Sequence, residues 1–161
     1  MRGKYDNTDL MILNELRDDC KKPVKEIARK LRIHPNTVLM RVKKLENDKV
    51  ILKYQAEIDY RKLGYELHVI IMVRVRKGRA GDPEQLADLS SIPEVQALYA
   101  CTGAYDVIAV VRVKDRDELV KVLRKIGENE IVTKTTTHII LYGYKHPYEY
   151  NPLEIVGMKK K

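Results

Sequence analysis

Two stretches of this chain combine residue types and spacings that could do chemistry. In the first, residues 33–48, the short polar side chains of Asn36 and Thr37 stand with Met40 ahead of the cations Arg41, Lys43 and Lys44. Short hydrogen-bonding groups suit the edges of bases and long cations suit phosphates, so this order fits contact with a polyanion such as double-stranded DNA. In the second, Thr102-Gly103-Ala104-Tyr105-Asp106, a glycine that lets backbone approach a small molecule stands near a carboxylate able to take an ammonium group. Thr135 and Thr137 alternate onto one face of a later extended run and could join it. The bland readings are a solvated amphipathic helix and a hairpin turn capped by Asp106. No Ser/His/Asp order, HExxH, P-loop or paired-carboxylate motif is present, and Cys20 and Cys101 lie far apart with no Cys/His cluster. Catalytic residues, metal ligands and cofactors are therefore all expected to be none, a small bound effector aside.

The charge distribution supports the first stretch. The chain of 161 residues carries 31 Lys+Arg against 23 Asp+Glu, a net charge of +8. Lys21, Lys22, Lys25, Arg29, Lys30, Arg32, Arg41, Lys43 and Lys44 face the single acid Glu26 between Cys20 and Lys44, so this segment alone holds +8. A local excess of this kind is the footprint of a nucleic-acid surface. Lys25, Arg32 and His34 join Pro35, Asn36, Thr37, Met40, Arg41, Lys43 and Lys44 as candidate DNA-binding residues, with Arg41 a candidate reader of guanine. No apolar run approaches the roughly 20 residues of a membrane span, and no basic-then-apolar leader is present, so a cytoplasmic protein without a membrane partner is expected.

The elements that must position these groups follow from periodicity. Asp6 reads as the N-cap of a first helix with Leu10, Leu13 and Leu16 on one face. Pro23 opens a second, with Val24, Ile27, Ala28 and Leu31 recurring at helical spacing, and after a three-residue turn Pro35 opens a third on the stripe Val38, Val42 and Leu45. Tight joining of two short helices, the second cationic, predicts a helix-turn-helix. From 50 to 59 the period changes to two, which predicts a linking strand, and a turn at 61–64 marks the domain boundary. Strands are predicted over 67–76, 95–101, 107–113 and 133–144, and helices over 82–92 and 115–126, each opened by an Asp with Gln or Glu three residues on. The order is βαββαβ, a ferredoxin-like unit.

The expected fold is thus α+β: a helix-turn-helix, winged-helix-like domain over 1–50, a linking strand and turn over 51–65, a ferredoxin-like domain over 66–144 and a tail over 145–161. Two helices cover one side of a four-stranded sheet, and Ile70 and Met72 make the other side of its first strand apolar as well. A homodimer is the expected state.

These residues carry a resemblance to the Lrp/AsnC, or feast/famine, family of transcription regulators. It runs through Asp6-x-x-Asp9-x-x-Ile12-Leu13-x-x-Leu16, Pro23-x-x-Glu26-Ile27-Ala28-x-x-Leu31, Pro35-x-Thr37-Val38-x-x-Arg41-Val42-x-x-Leu45-Glu46 and Val50-Ile51, then Thr102-Gly103-Ala104-Tyr105-Asp106 and Thr135-Thr136-Thr137. The resemblance implies a DNA-binding regulator whose second domain dimerises, assembles further to tetramers or octamers, and binds small effectors, commonly amino acids. Thr102, Gly103, Ala104, Tyr105, Asp106, Thr135 and Thr137 are the implied effector residues. The chain departs from the family pattern at Arg32 and Lys49, which stand where glycine is usual, and at His34, which stands where a Ser or Thr cap is usual. A non-glycine residue at positive φ costs roughly 1 kcal/mol or more.

Two alternatives share these features. Siroheme decarboxylases resemble the same family, and His68 and His138 would be the tetrapyrrole or proton-transfer candidates, but Leu52-Lys53-Tyr54 stands where those enzymes show an Arg-Arg run. A sequence-indifferent, chromatin-like DNA-binding protein is the other. The tail extends past the family pattern with Tyr148, Tyr150, Leu153, Ile155 and Val156 between Pro147 and the terminal lysines. Its apolar surface and prolines predict an extended segment laid on a neighbouring subunit.

Overall fold

A computed structural model describes residues 4–76, 84, 86–145 and 149–153. Contacts divide the chain into a unit formed by Met1–Glu57 with Lys145–Lys161 and a second unit, Ile58–Tyr144.

The first unit is built on three helices. Helix α1 (Asn7–Asp18) begins in a closed capping box: an Asp6 carboxylate oxygen accepts the Asp9 N–H at 3.0 Å and Asp9 returns the favour to the Asp6 N–H at 3.0 Å. Helix α2 (Val24–Leu31) ends at Arg32, which takes the left-handed conformation at φ 54°, letting Ile33 N–H donate back to the Ala28 carbonyl. Helix α3 (Pro35–Asn47) starts on its proline and stops before Lys49, also left-handed at φ 58°. Both residues that replace the expected glycines therefore hold the strained backbone that the turns require. The His34 Nδ1 accepts the Asn36 N–H at 3.2 Å, so the imidazole does the work of the expected Ser or Thr cap. Ile12, Ile27, Ala28 and Val38 form the buried centre, with Leu16, Val24, Leu31, Ile33 and Val42 around it. Truncating such a residue to alanine costs about 2–5 kcal/mol.

Buried charge fixes the helix pose more sharply than the apolar centre does. Asp9 is 1% exposed and Glu15 3%. The Arg41 guanidinium of α3 reaches both Asp6 oxygens at 2.8 Å and Asp9 at 2.7 Å. Glu15 receives Lys22 at 2.6 Å and also Lys30. Helix α1 is thereby tied to α3 near its start and to α2 near its middle.

The expected linking strand does not form. Residues 52–59 are without strand structure, and Leu52, Tyr54 and Ile58 are exposed, because none of the described strands supplies the ladder an extended segment needs. The tail expected to meet a neighbouring subunit has contacts within its own chain. Its described part lies on its own first unit: Arg17 donates to the Tyr150 carbonyl at 2.7 Å, and Asn151 Nδ2 donates to Asn14 Oδ1. Tyr148, Ile155 and Val156 lie outside the described residues.

The second unit opens with a 3-10 turn, Tyr60–Leu63, closed by Gly64 at φ 84°. Its strands β1 (Leu67–Val75), β2 (Val95–Ala100), β3 (Val107–Val113) and β4 (Val132–Ile139) form one antiparallel sheet in the order β2-β3-β1-β4, with α4 (Ala87–Ser90) and α5 (Arg116–Gly127). Val69, Ile71 and Val73 of β1 pair with Val111, Ala109 and Val107 of β3 and pack with Leu89 of α4 and Leu119, Val122 and Ile126 of α5. The ferredoxin-like order is as expected. Of the helix predicted over 82–92, one turn is described, and Asp82, Pro83 and Gln85 lie outside the described residues. On α5 the Asp115 carboxylate caps Glu118 N–H at 2.9 Å, but Glu118 reaches back to Lys114 N–H rather than to the cap residue itself. Strand β4 is shorter than expected, its extension ending with Ile140 N–H donating to the His68 carbonyl near the start of β1.

Burial pushes the Glu15 carboxyl up, but hydrogen bonds and charges from Lys22 and Lys30 outweigh it and hold the group below the usual glutamate range. The Asp9 N–H and Arg41 likewise hold Asp6 below the usual aspartate range. A carboxylate with a lowered folded value contributes stability that is full above its unfolded value and lost as pH falls through the folded one. The helical unit is therefore expected to lose stability as pH drops below about 4.3. Glu15→Gln should lower Tm at pH 7 and flatten that acid dependence in circular-dichroism melts. An unchanged neutral-pH Tm would contradict the role given to Glu15.

Candidate functional site

The outer face of α3 keeps most of what its sequence promised. Val38 and Leu45 are fully buried, which turns Asn36, Leu39, Met40, Lys43 and Lys44 to solvent, with Met40 74% exposed. Pro35 and Thr37 are half-buried at the start of the helix, and Lys25, Arg32 and His34 are exposed on α2 and in the turn. Since His34 Nδ1 accepts the cap hydrogen bond, the proton of the neutral ring sits on Nε2. Lys44 lies 5.6 Å from the centre of the Tyr5 ring.

Arg41 departs from its expected place. Its guanidinium is turned to Asp6 and Asp9, and hydrogen bonds to Asp6 and then Asp9 push it further toward the charged form. In the chain without DNA, the arginine expected to read guanine ties α3 to α1, because a nearly buried Asp9 needs its positive charge more than solvent does. Lys22 and Lys30 are drawn to Glu15 in the same way. Leu39 is also exposed beside Met40, a position that neither the buried stripe nor the polar pattern of α3 singles out.

The second site gathers around the β2–β3 loop. Gly103 adopts φ 119°, with Thr102, Gly103 and Ala104 exposed. Asp106 is largely committed to the fold: its carboxylate accepts the Val75 N–H at 3.0 Å and its own N–H donates to the Val73 carbonyl at 3.0 Å. The Tyr105 hydroxyl bonds to Thr136, not to Thr135 or Thr137. Register explains this. Thr135 and Thr137 pair with Val73 and Ile71 on the helix-covered face, whereas Thr136 pairs with Met72 on the open face. Arg74, which the sequence reading passed over, donates to the Ala104 carbonyl and lies 5.8 Å from the centre of the Tyr105 ring. It pairs with Lys134 across the strands, so two cations stand beside two hydroxyls. The period-two alternation of β1 was the signal that would have put Arg74 on this face. His68 is half-buried opposite Arg112, and His138 is exposed opposite Ile70, both also on the open face. Among the described residues, no group of His, Cys, Asp and Glu could hold a metal ion, and no helix is long and apolar enough to cross a membrane.

Both units match known domains. Residues 6–46 match the AsnC-type helix-turn-helix domain and residues 68–150 the Lrp/AsnC ligand binding domain. A relative named HTH-type transcriptional regulator FL11, from Pyrococcus horikoshii, is 34% identical over 149 residues, covering 92% of this chain and 97% of its own. Among solved structures, AsnC of E. coli superposes with a TM-score of 0.82 at 29% identity, covering 89% of this chain and 97% of that one. A feast or famine regulatory protein from M. tuberculosis, complexed with L-methionine, superposes with a TM-score of 0.80 at 25% identity over 88% of this chain and 95% of that one. These matches favour a regulator over the decarboxylase-like and chromatin-like alternatives. The chain belongs to the Lrp/AsnC family of transcription regulators, with an N-terminal helix-turn-helix and a C-terminal ligand-binding domain.

Proposed function

We propose that the chain is a cytoplasmic regulator that binds operator DNA as a homodimer or larger assembly and answers to an amino acid bound beside the β2–β3 loop. Helix α3 enters the major groove with Asn36, Thr37 and Met40 at base edges and Lys43 and Lys44 at phosphates. Lys25, Arg32 and the Nε2–H of His34 add backbone contacts at its N-terminal end. What supports this most is the division of α3 itself, with Val38 and Leu45 fully buried while Asn36, Met40, Lys43 and Lys44 face solvent. Dimerisation through the open sheet face is supported by Ile70, Met72, Ile108 and Val110, which two helices on the other side leave uncovered. The exposed Leu52, Tyr54 and Ile58 of the extended segment would find a partner in the same assembly.

For the effector, Arg74 and Lys134 offer charge for a carboxylate, Tyr105 and Thr136 offer hydroxyls, and the exposed Gly103 loop offers backbone. The carboxylate of Asp106 would take the ammonium with the oxygen not held by Val75 N–H. The methionine bound by the M. tuberculosis relative makes amino acids the first class to test.

The DNA reading predicts a division of labour among the variants. Lys43→Ala and Lys44→Ala should each weaken binding to all sequences alike and reduce the slope of log affinity against log salt by about one. Asn36→Ala should relax preference at one base pair by roughly 1–3 kcal/mol, with little change in the slope. Fluorescence anisotropy across a salt series measures both, and salt slopes identical to wild type in both lysine variants would refute phosphate contact. The effector reading is checked by calorimetric titration of the full chain with L-methionine and then the other common amino acids. Saturable heat is expected from at least one, lost in Arg74→Ala and kept in Thr135→Ala. Silence across the whole set, or unchanged binding by Arg74→Ala, would contradict it.

A further inference from the structure

We propose that residues 149–153 act as a strap that positions the recognition helix, gripping α1, which in turn holds α3 through Arg41. Asn151 is only 8% exposed, although it lies ten residues from the end of the chain. Both ends of its amide are engaged: Nδ2 donates to Asn14 Oδ1 of α1, and Oδ1 accepts the Leu153 N–H at 3.1 Å. Arg17, one turn further along α1, donates to the Tyr150 carbonyl at 2.7 Å. Leu153 completes the wall of a cavity of about 330 Å3 together with Leu10, Met11 and Leu31 of α1 and α2. A buried amide is costly unless its partners are in place, so this segment has one specified seat rather than a choice of greasy ones.

The seat is on the helix whose other end fixes α3. Asn14 follows Asp9 by five residues, roughly 8 Å along a helix axis. A rigid α1 that shifts at Asn14 and Arg17 must carry Asp6 and Asp9 with it, and Arg41 follows both. The hydrogen bonds of Tyr150 and Asn151 fall on α1, while Leu153 also lines the cavity beside Leu31 of α2, so the route to α3 that the test isolates is the one through α1 and Arg41. It rests on the reading that the outer face of α3 binds DNA. On this account Asn151 is a positioning residue, not a contact residue.

The test uses the full chain, Asn151→Ala and a chain ending at Tyr144, each with and without Arg41→Ala. Binding to random-sequence duplex DNA is measured at one salt concentration well below the unfolding temperature, beside hydrogen exchange of the α1 amides. Loss of the strap should speed exchange in α1 about tenfold and weaken DNA binding roughly fivefold. With Arg41 already replaced, the same change should weaken binding by less than about twofold, since the route is already cut. Equal weakening in both backgrounds would mean general destabilisation and overturn the proposal, as would faster α1 exchange with unaltered DNA binding. Asn151→Ala removes no charge, so it carries the test alone if the shortened chain does not fold. A wild-type chain that fails to bind DNA would overturn the reading of α3 itself. Normal wild-type binding with an unaffected Asn151→Ala would overturn only the strap.

Discussion

A nearly buried carboxylate, Asp9, sits at the junction on which the DNA-binding unit depends. An uncompensated charge in that position would cost several kcal/mol, and the compensation comes from the Asp6 N–H and from Arg41 at 2.7 Å. The pair therefore sets both the start of α1 and the rotation of α3 about its axis. With Arg41 drawn inward, Asn36, Met40, Lys43 and Lys44 are left as the exposed face. Glu15 repeats the device one turn and a half later, holding Lys22 and Lys30. Part of the positive charge that marks this segment thus serves the fold, while Lys25, Arg32, Lys43 and Lys44 have no ion-pair partner among the described residues.

The ligand-binding unit follows a different constraint, the need of a four-stranded sheet to cover two faces with two helices on one side. Val69, Ile71, Val73, Val107 and Val111 are sealed by Leu89, Leu119, Val122 and Ile126. The opposite face carries a graded chemistry instead: apolar at Ile70, Met72, Ile108 and Val110, then cationic and hydroxyl-bearing at Arg74, Lys134, Tyr105 and Thr136. On the proposed reading, this one face offers an apolar surface to another copy and a polar corner to a small molecule with a carboxylate.

Much of this was legible in the sequence because it rests on local rules. Helical spacing located α1, α2, α3 and α5, alternation located β1 and β3, and the departures at Arg32 and Lys49 were correctly read as positive-φ positions. The structure adds most where a residue's surroundings depend on a partner far along the chain. Arg41 looks like a reader of guanine until Asp6 and Asp9, 35 and 32 residues away, claim it. Alternation over 50–59 describes an extended segment, but a strand also needs a neighbour, which the described residues do not provide. Period two puts Thr135 and Thr137 on one face but does not say which face meets the loop; register places Thr136 opposite Met72, where it bonds to Tyr105. The seat of Asn151 on α1 spans 137 residues of sequence separation and left no local signal.

The central claim is that Arg41 sets the pose of the recognition helix instead of reading a base. Measuring the affinity of Arg41→Ala for every single-base variant of an operator selected from random DNA tests it most directly. The account predicts weaker binding by a similar factor across all variants, with the pattern of base preference kept. A loss confined to one G·C position, with the remaining positions bound as by wild type, would contradict it and return Arg41 to the base edge.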